Sequence, residues 1–367
     1  MGGLLPIRMI ASLAKCIDWL VLQGAALRPP SAGKLEEAVQ FLQGPNFMPV
    51  ESEPARVEFD SRKSRRNFRF PTPRPCGLAK NNVVYGRLYR CSECWQERPT
   101  IVLLHGGGDY PSYWFRFPLI ARRCNGMGFN AVTLELPYHF HRRPRHFEGL
   151  NSLDCLQLAK TFAQAMAEIR SLSGWLLAGG CPAVALWGVS WGASLAGLTA
   201  CRDFRLAAVV LSIPAVRFNT NVKLGFRRST REAWERLRPV LDRLNSTPLN
   251  LTLSQPAISA RRILLIESLY DLCVGSEPIE QLWQAWGKPD IWRLAHGHVT
   301  SLAARGVTRR VLHWLAPRCE ECAGKEPPDN AAQQIAAGNS HRASQSGRCG
   351  QFDCQACISE PVSGGCA

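Results

Sequence analysis

Lysine is scarce in this 367-residue chain: eight of the 44 basic residues are lysine and the other 36 are arginine. Carboxylates are few as well, 29 in all, and the formal net charge is +15. Such a surface attracts nucleic acid, anionic lipid or acidic substrates. What is missing is clustering. The arginines are scattered, with no basic run interleaved with aromatics, so nucleic acid is not an expected partner. A coding preference for arginine accounts for the charge equally well. The first 27 residues lack an uncharged run of 18, because Arg8, Lys15 and Asp18 interrupt them, which excludes a membrane span there. They also lack a secretory leader's order of charge before an unbroken apolar core. Pro6 stands where an N-terminal acylation signal needs Ser or Thr. A cytoplasmic location is therefore expected, and there the fifteen cysteines do not read as a disulfide framework.

What the N-terminus does contain is a helical stripe, Ile10, Leu13, Ala14, Ile17, Leu20 and Val21. A helix packed on the core is the plainer reading, and peripheral membrane contact through residues 1–27 is the alternative. Residues 1–57 form an N-terminal helical extension, 58–316 the main domain, and 317–367 a cysteine-containing tail. The Pro-, Gln-, Ser- and Ala-rich composition of that tail predicts disorder. Cys319/Cys322 and Cys354/Cys357 are C-x-x-C pairs, but 31 residues separate them, beyond the usual zinc-knuckle spacing. No metal or cofactor is assigned.

The strongest signal is Gly188-Val189-Ser190-Trp191-Gly192, between the apolar run Ala183–Trp187 and the small-residue run Ala193–Gly197. It reads as strand, sharp corner and helix, with the serine strained at the corner and its hydroxyl at a helix N-terminus. Upstream, the buried-strand run Ile101–Leu104 ends in His105-Gly106-Gly107-Gly108-Asp109. That turn suits an oxyanion donor, Gly107, to act with the Trp191 N–H. Downstream, the strand Arg262–Glu267 leads to Asp271, and Ile291–Leu294 leads to His296-Gly297-His298. The order Ser190, Asp271, His298 provides a nucleophile, a base that titrates near neutrality and an acid to orient it. His298 is preferred to His296 because it opens the final helix, Val299–Trp314. Asp271 is preferred to Glu267, inside a strand, and to Glu277, inside a helix.

Strands separated by helical stretches predict an α/β fold, a mainly parallel doubly wound sheet with helices on both faces. Val83–Arg90 and Thr100–Leu104 are expected to pair. Residues 214–259, between two strands, are expected to form a cap. In the loop Tyr138–Pro144, His139 and His141 form a weak metal-ligand pattern with no carboxylate or cysteine at ligand spacing. Arg142 and Arg143 are expected to make structural ion pairs, with Asp109 a candidate partner. Substrate-anion binding is the alternative role for both.

Three segments, Leu104–Ala121, Glu135–Pro144 and Trp187–Leu195, give residues 58–316 a narrower likeness. The chain resembles an α/β-hydrolase-fold serine hydrolase of the branch around α/β-hydrolase domain-containing protein eighteen and its bacterial relatives. The resemblance implies a Ser-Asp-His hydrolase acting on small-molecule or lipid acyl esters. Trp191 stands where relatives often carry a smaller residue, which bears on substrate fit. A catalytically silent α/β-hydrolase fold used for binding is the alternative.

Overall fold

The computed structural model describes residues 7–26, 31–48, 53–60, 66–109, 111–218, 228–301 and 304–323. In chain order its elements are α1 (Ile7–Ala26), α2 (Leu35–Gln43), β1 (Glu58–Phe59), β2 (Asn67–Pro71), β3 (Val83–Tyr89), β4 (Thr100–Leu104), α3 (Phe117–Asn125), β5 (Asn130–Leu134) and α4 (Cys155–Ala178). There follow β6 (Val184–Val189), α5 (Trp191–Ala200), β7 (Ala208–Ser212), α6 (Arg228–Asn245), β8 (Ile263–Ser268), α7 (Glu277–Ala285), β9 (Asp290–Leu294), α8 (His298–Ser301) and α9 (Val307–Ala323).

The strands form one nine-stranded sheet, ordered β1-β2-β3-β5-β4-β6-β7-β8-β9. It is antiparallel from β1 to β5 and parallel from β5 to β9. Strands β4 to β8 are buried along their whole length and mostly apolar because helices cover them on both sides. Alternation within β4 shows the two faces. Val102 and Leu104 pack in the cluster of α2, α4, α5 and α7 residues, whereas Ile101 and Leu103 pack with α3 and α9.

The expected pairing of β3 with β4 does not form. The crossover through α3 lays β5 parallel to β4 (Ile101 opposite Ala131), and β3 pairs antiparallel with β5 (Gly86 opposite Leu134). The link between Tyr89 and Thr100 contains a helical turn, Trp95–Glu97, and is long enough to step over one strand. The edge strand β1 and its neighbour β2 were not expected. Phe68 and Phe70 of β2 are buried, and the Phe68 ring lies where a Cβ on Gly86 would be.

The final helix is broken: α8 and α9 are separate, with Gly306 at φ 78° between them. The second piece runs to Ala323, past the boundary expected at residue 316, because Val311, Leu312, Leu315 and Cys319 make one buried stripe. Residues 324–367, with Cys349, Cys354, Cys357 and Cys366, lie outside the described residues, as do residues 219–227 of the 214–259 insertion. The described part of that insertion starts and ends against α5. Ser194 Oγ donates to the Ala215 carbonyl (2.7 Å), and Ala257 N–H to the Ala200 carbonyl (2.8 Å). Leu244, Leu249 and Leu251 enter the core, and Arg243 pairs with Glu36 of α2 at 3.5 Å.

Helix α1 buries only part of its expected stripe: Ala14 faces inward beside Asp18 and Ile17 is half-buried, while Leu13 (57% exposed) and Leu20 (59%) face outward with Trp19 (38%), and the side chains of Ile10 and Val21 lie outside those described. The inner face lies against backbone, leaving no room for large side chains: a Cβ on Gly297 would come within 3.0 Å of the Ala14 carbonyl oxygen.

At the two ends of the sheet, β1 is two residues long, and β9 is laced with polar contacts. Arg293 pairs with Glu280 (2.6 Å), and Asp290 accepts from Trp314 Nε1 (2.7 Å) and Arg318 (3.0 Å).

Candidate active site

The strand β6 and helix α5 meet at Ser190, whose backbone sits at φ 52°, ψ −116°. A non-glycine residue held there costs on the order of 1–3 kcal/mol, so its surroundings must impose it. Ser190 N–H is tied to the Ser212 carbonyl of β7 (2.9 Å). A Cβ on Gly188 would overlap the Gly192 backbone, and one on Gly192 would overlap the carbonyls of Leu104, the last residue of β4, and of His105 after it. Both glycines are required by close approach, and together they bring the serine over the end of the sheet.

His298 and Asp271 meet Ser190 there. His298 Nε2 lies 3.0 Å from Ser190 Oγ, and Nδ1 lies 2.7 Å from Asp271 Oδ2. The other Asp271 oxygen accepts the N–H groups of Cys273 (2.8 Å) and Val274 (2.9 Å), which fixes the carboxylate plane. Asp271 is fully buried and the His298 side chain 14% exposed. The three side chains follow β6, β8 and β9, at the carboxyl ends of parallel strands. Burial alone pushes the His298 imidazole down. The charge and hydrogen bond of Asp271, with the charges of Asp18 and Asp109, outweigh that and hold it above its ordinary value. His296 stays in the loop, where its carbonyl accepts Tyr270 N–H (2.9 Å), and Glu267 is drawn to Arg293 (3.2 Å).

The turn after β4 faces the elbow. A Cβ on Gly106 would lie 3.5 Å from Ser190 Cβ, and one on Gly107 would lie 3.9 Å from Trp191 Cβ. Two N–H groups of this turn are occupied: Gly108 donates to His139 Nε2 (3.0 Å) and Asp109 to the Gly106 carbonyl (3.4 Å). Among the described residues, the amides of Gly107 and Trp191 meet no acceptor. Two buried histidines hold this arrangement. His139 pairs its other ring nitrogen with the Pro137 carbonyl (2.8 Å), and its ring stacks on Trp191 (5.3 Å between centroids). His105 likewise joins the Gly106 carbonyl (2.8 Å) to Leu136 N–H (3.1 Å). Accepting an N–H at Nε2 requires the neutral ring with its proton on Nδ1. Burial favours that form, pushing His105 well down and His139 to about 4.

The structure corrects the anion-binding alternative for Arg142. Its side chain is fully buried and grips the equally buried Glu168 through both terminal nitrogens (2.7 and 2.6 Å). The same nitrogens donate to the carbonyls of Glu135 (2.8 Å) and Asn81 (2.6 Å). Asp109, the partner considered from sequence, instead accepts Ser112 N–H (3.1 Å). Arg143 is exposed but bonds back to its own loop, through Nε (3.2 Å) and a terminal nitrogen (2.8 Å) to the Phe147 carbonyl. Both arginines therefore brace the loop that carries His139.

Ligand atoms of Asp271, Cys273 and His298 lie within 4.8 Å of one another. They make a poor metal site. The Asp271 oxygens and His298 Nδ1 are already bonded to one another and to backbone. Burial, then the charges of Asp271 and Asp18, push the Cys273 thiol up, so it offers no thiolate. His141 is drawn to Glu135 (2.8 Å) rather than paired with His139. Cys319 is buried in α9, its thiol pushed up to about 12.

One residue at this site was missed in the sequence. Asp18 of α1, which had marked only a break in an apolar run, is fully buried and accepts His298 N–H at 2.7 Å.

Residues 81–238 match the family Alpha/beta hydrolase domain containing 18, a span that includes the glycine turn, the arginine loop and the elbow and ends before Asp271 and His298. Two curated proteins of Mycobacterium tuberculosis, both described as uncharacterized, are each 27% identical over 273 residues. The matches cover 70% of this chain, and the chain spans 62% of the relatives' length. Among solved structures, acetyl xylan esterase 1 from Thermoanaerobacterium aligns over 81% of this chain and 98% of its own, with 15% identity and a TM-score of 0.54. Strand order, elbow geometry and these likenesses together identify the chain as an α/β-hydrolase-fold protein, similar to the Alpha/beta hydrolase domain containing 18 branch.

Proposed function

We propose that the protein is a serine hydrolase of carboxylic esters, with Ser190, His298 and Asp271 as its catalytic residues. The observation that carries this reading is the unbroken chain of contacts, 2.7 Å from Asp271 Oδ2 to His298 Nδ1 and 3.0 Å from His298 Nε2 to Ser190 Oγ, on a serine held at positive φ. His298 takes the Ser190 proton as the hydroxyl oxygen attacks the ester carbonyl, and Asp271 stabilises the imidazolium that forms. The N–H groups of Gly107 and Trp191 receive the developing oxyanion. The alcohol leaves with the proton returned by His298. Water, deprotonated by His298, then attacks the acyl carbonyl, and His298 returns that proton to Ser190 Oγ as the acid departs.

Lipid acyl esters are the favoured substrate class. The apolar face of α1 (Leu13, Trp19, Leu20) is exposed, and so is Leu269, two residues before Asp271. Lys15 of the same helix lies over Tyr270 in that loop (5.8 Å). Such a face suits peripheral contact with a lipid surface. No helix among the described residues is long and apolar enough to cross a membrane.

The test is labelling with a fluorophosphonate probe beside Ser190→Ala, followed by hydrolysis of p-nitrophenyl esters of short and long acyl chains. Labelling lost in the variant, with preference for long chains, supports the reading; preference for short chains removes the lipid part. Folded wild-type protein that neither labels nor hydrolyses any ester overturns it and leaves a catalytically silent binding fold.

A further inference from the structure

Asp18 belongs to α1, yet its hydrogen bonds reach the loop after Asp271 and the start of α8, the segments that carry the catalytic acid and base. Its Oδ2 accepts the N–H of His298 (2.7 Å) and of Leu272 (3.1 Å), and its Oδ1 accepts the N–H of Val299 (3.1 Å). Leu272 directly follows Asp271, so one carboxylate clasps the acid's loop to the first turn of α8, which carries the base. The fit is close, since a Cβ on Gly297 would stand 2.8 Å from Asp18 Oδ2, and glycine at 297 is what lets the carboxylate reach the backbone.

A neutral side chain would be the economical choice for packing alone. Asp18 is fully buried, and among the described residues no lysine or arginine forms an ion pair with it. A buried carboxylate without a cation is costly unless hydrogen bonds surround it, and here they are three backbone amides of the active-site segments. We propose that Asp18 is a positioning residue of the active site, holding the His298 backbone so that its ring stays in line between Asp271 and Ser190. This rests on the reading of those three residues as the catalytic set.

The test uses the full chain with Asp18→Ala and Asp18→Asn. Asparagine keeps the shape and one accepting oxygen, so it serves if the alanine variant fails to fold. Expected for Asp18→Ala is a loss of about 100-fold in both kcat and the rate of fluorophosphonate labelling, with KM within about twofold, the scale of effect when a reacting group is displaced by ~1 Å. Asp18→Asn falls between. Three carboxylates face His298: Asp271 from the β8–α7 loop, Asp109 from the turn after β4, and Asp18 from α1. Removing one is expected to move the acid limb of the labelling profile down by on the order of one pH unit. A packing role alone would lower the melting temperature without moving that limb. The hydrogen-bonded Nδ1–H proton of His298, followed by NMR, reads the ring's position without reference to activity. Broadening or loss of that resonance in folded Asp18→Asn supports the inference. An unchanged resonance, or a wild-type labelling rate and pH profile, overturns it. Wild-type protein that fails to label overturns the hydrolase reading instead, and the resonance then decides the role of Asp18 by itself.

Discussion

Replacing Arg142 by methionine separates a structural arginine from a substrate-binding one. The guanidinium donates four bonds of 2.6–2.8 Å, two to Glu168 and two to carbonyls, inside a site where both side chains are fully buried. Methionine fills most of the volume but leaves the Glu168 carboxylate without its cation. Breaking a buried pair from one side costs about 3–5 kcal/mol. The Glu168 carboxylate keeps donors in Thr72 Oγ1 (2.6 Å) and Gln164 Nε2 (3.0 Å), which favours the lower end, about 3 kcal/mol by that scale. In a unit of this size that lowers the melting temperature by about 4–6 °C. Thermal unfolding of Arg142→Met, Glu168→Leu and the double variant measures it, and the double variant is expected to regain most of the loss because no buried charge is left alone. Ester KM is measured on the folded fraction and should stay within about twofold. A melting temperature unchanged to within a degree or two, with a KM raised several-fold, would refute the structural role and restore anion binding.

Two more outcomes follow from the same neighbourhood. His139 is held near 4 against an ordinary 6.5, so the unfolded chain takes up its proton first as pH falls; stability is full above pH 6.5 and about 3 kcal/mol is lost by pH 4. His139→Phe should flatten that part of the curve of unfolding free energy against pH and slow labelling, since Gly108 loses its acceptor; an unaltered curve would contradict the assignment. Gly192→Ala should abolish soluble protein or lower stability by more than about 3 kcal/mol because its Cβ meets β4 backbone, whereas Gly77→Ala, with open space around it, should change stability by less than about 0.5 kcal/mol in the same denaturation assay.

The site was legible where chemistry imposes a local pattern. The elbow needs two glycines two residues either side of Ser190 for reasons confined to a few residues, and the strand before Asp271, buried on both faces, shows as the apolar run Ile263–Ile266. What escaped the sequence depends on partners far along the chain. β2 is short and carries Asn67 and Arg69 among its apolar residues, so it reads as a strand only once β3 is beside it. The insertion of β5 between β3 and β4 depends on a crossover path, which apolar runs do not record. Arg142 looks like any surface arginine until Glu168 is brought to it from α4. Asp18 looked like an interruption because the surface it faces is backbone, and backbone leaves no mark in residue types.

The two ends of the sheet bear on how copies of this chain associate. An unpaired strand edge is a template for adding a further strand, and sheet proteins that expose one risk running together into continuous arrays. Here one edge is a two-residue strand, too short to register a partner, and the other has charged groups tied to neighbouring helices along its length. Joining two molecules into one extended sheet is thereby disfavoured at both ends.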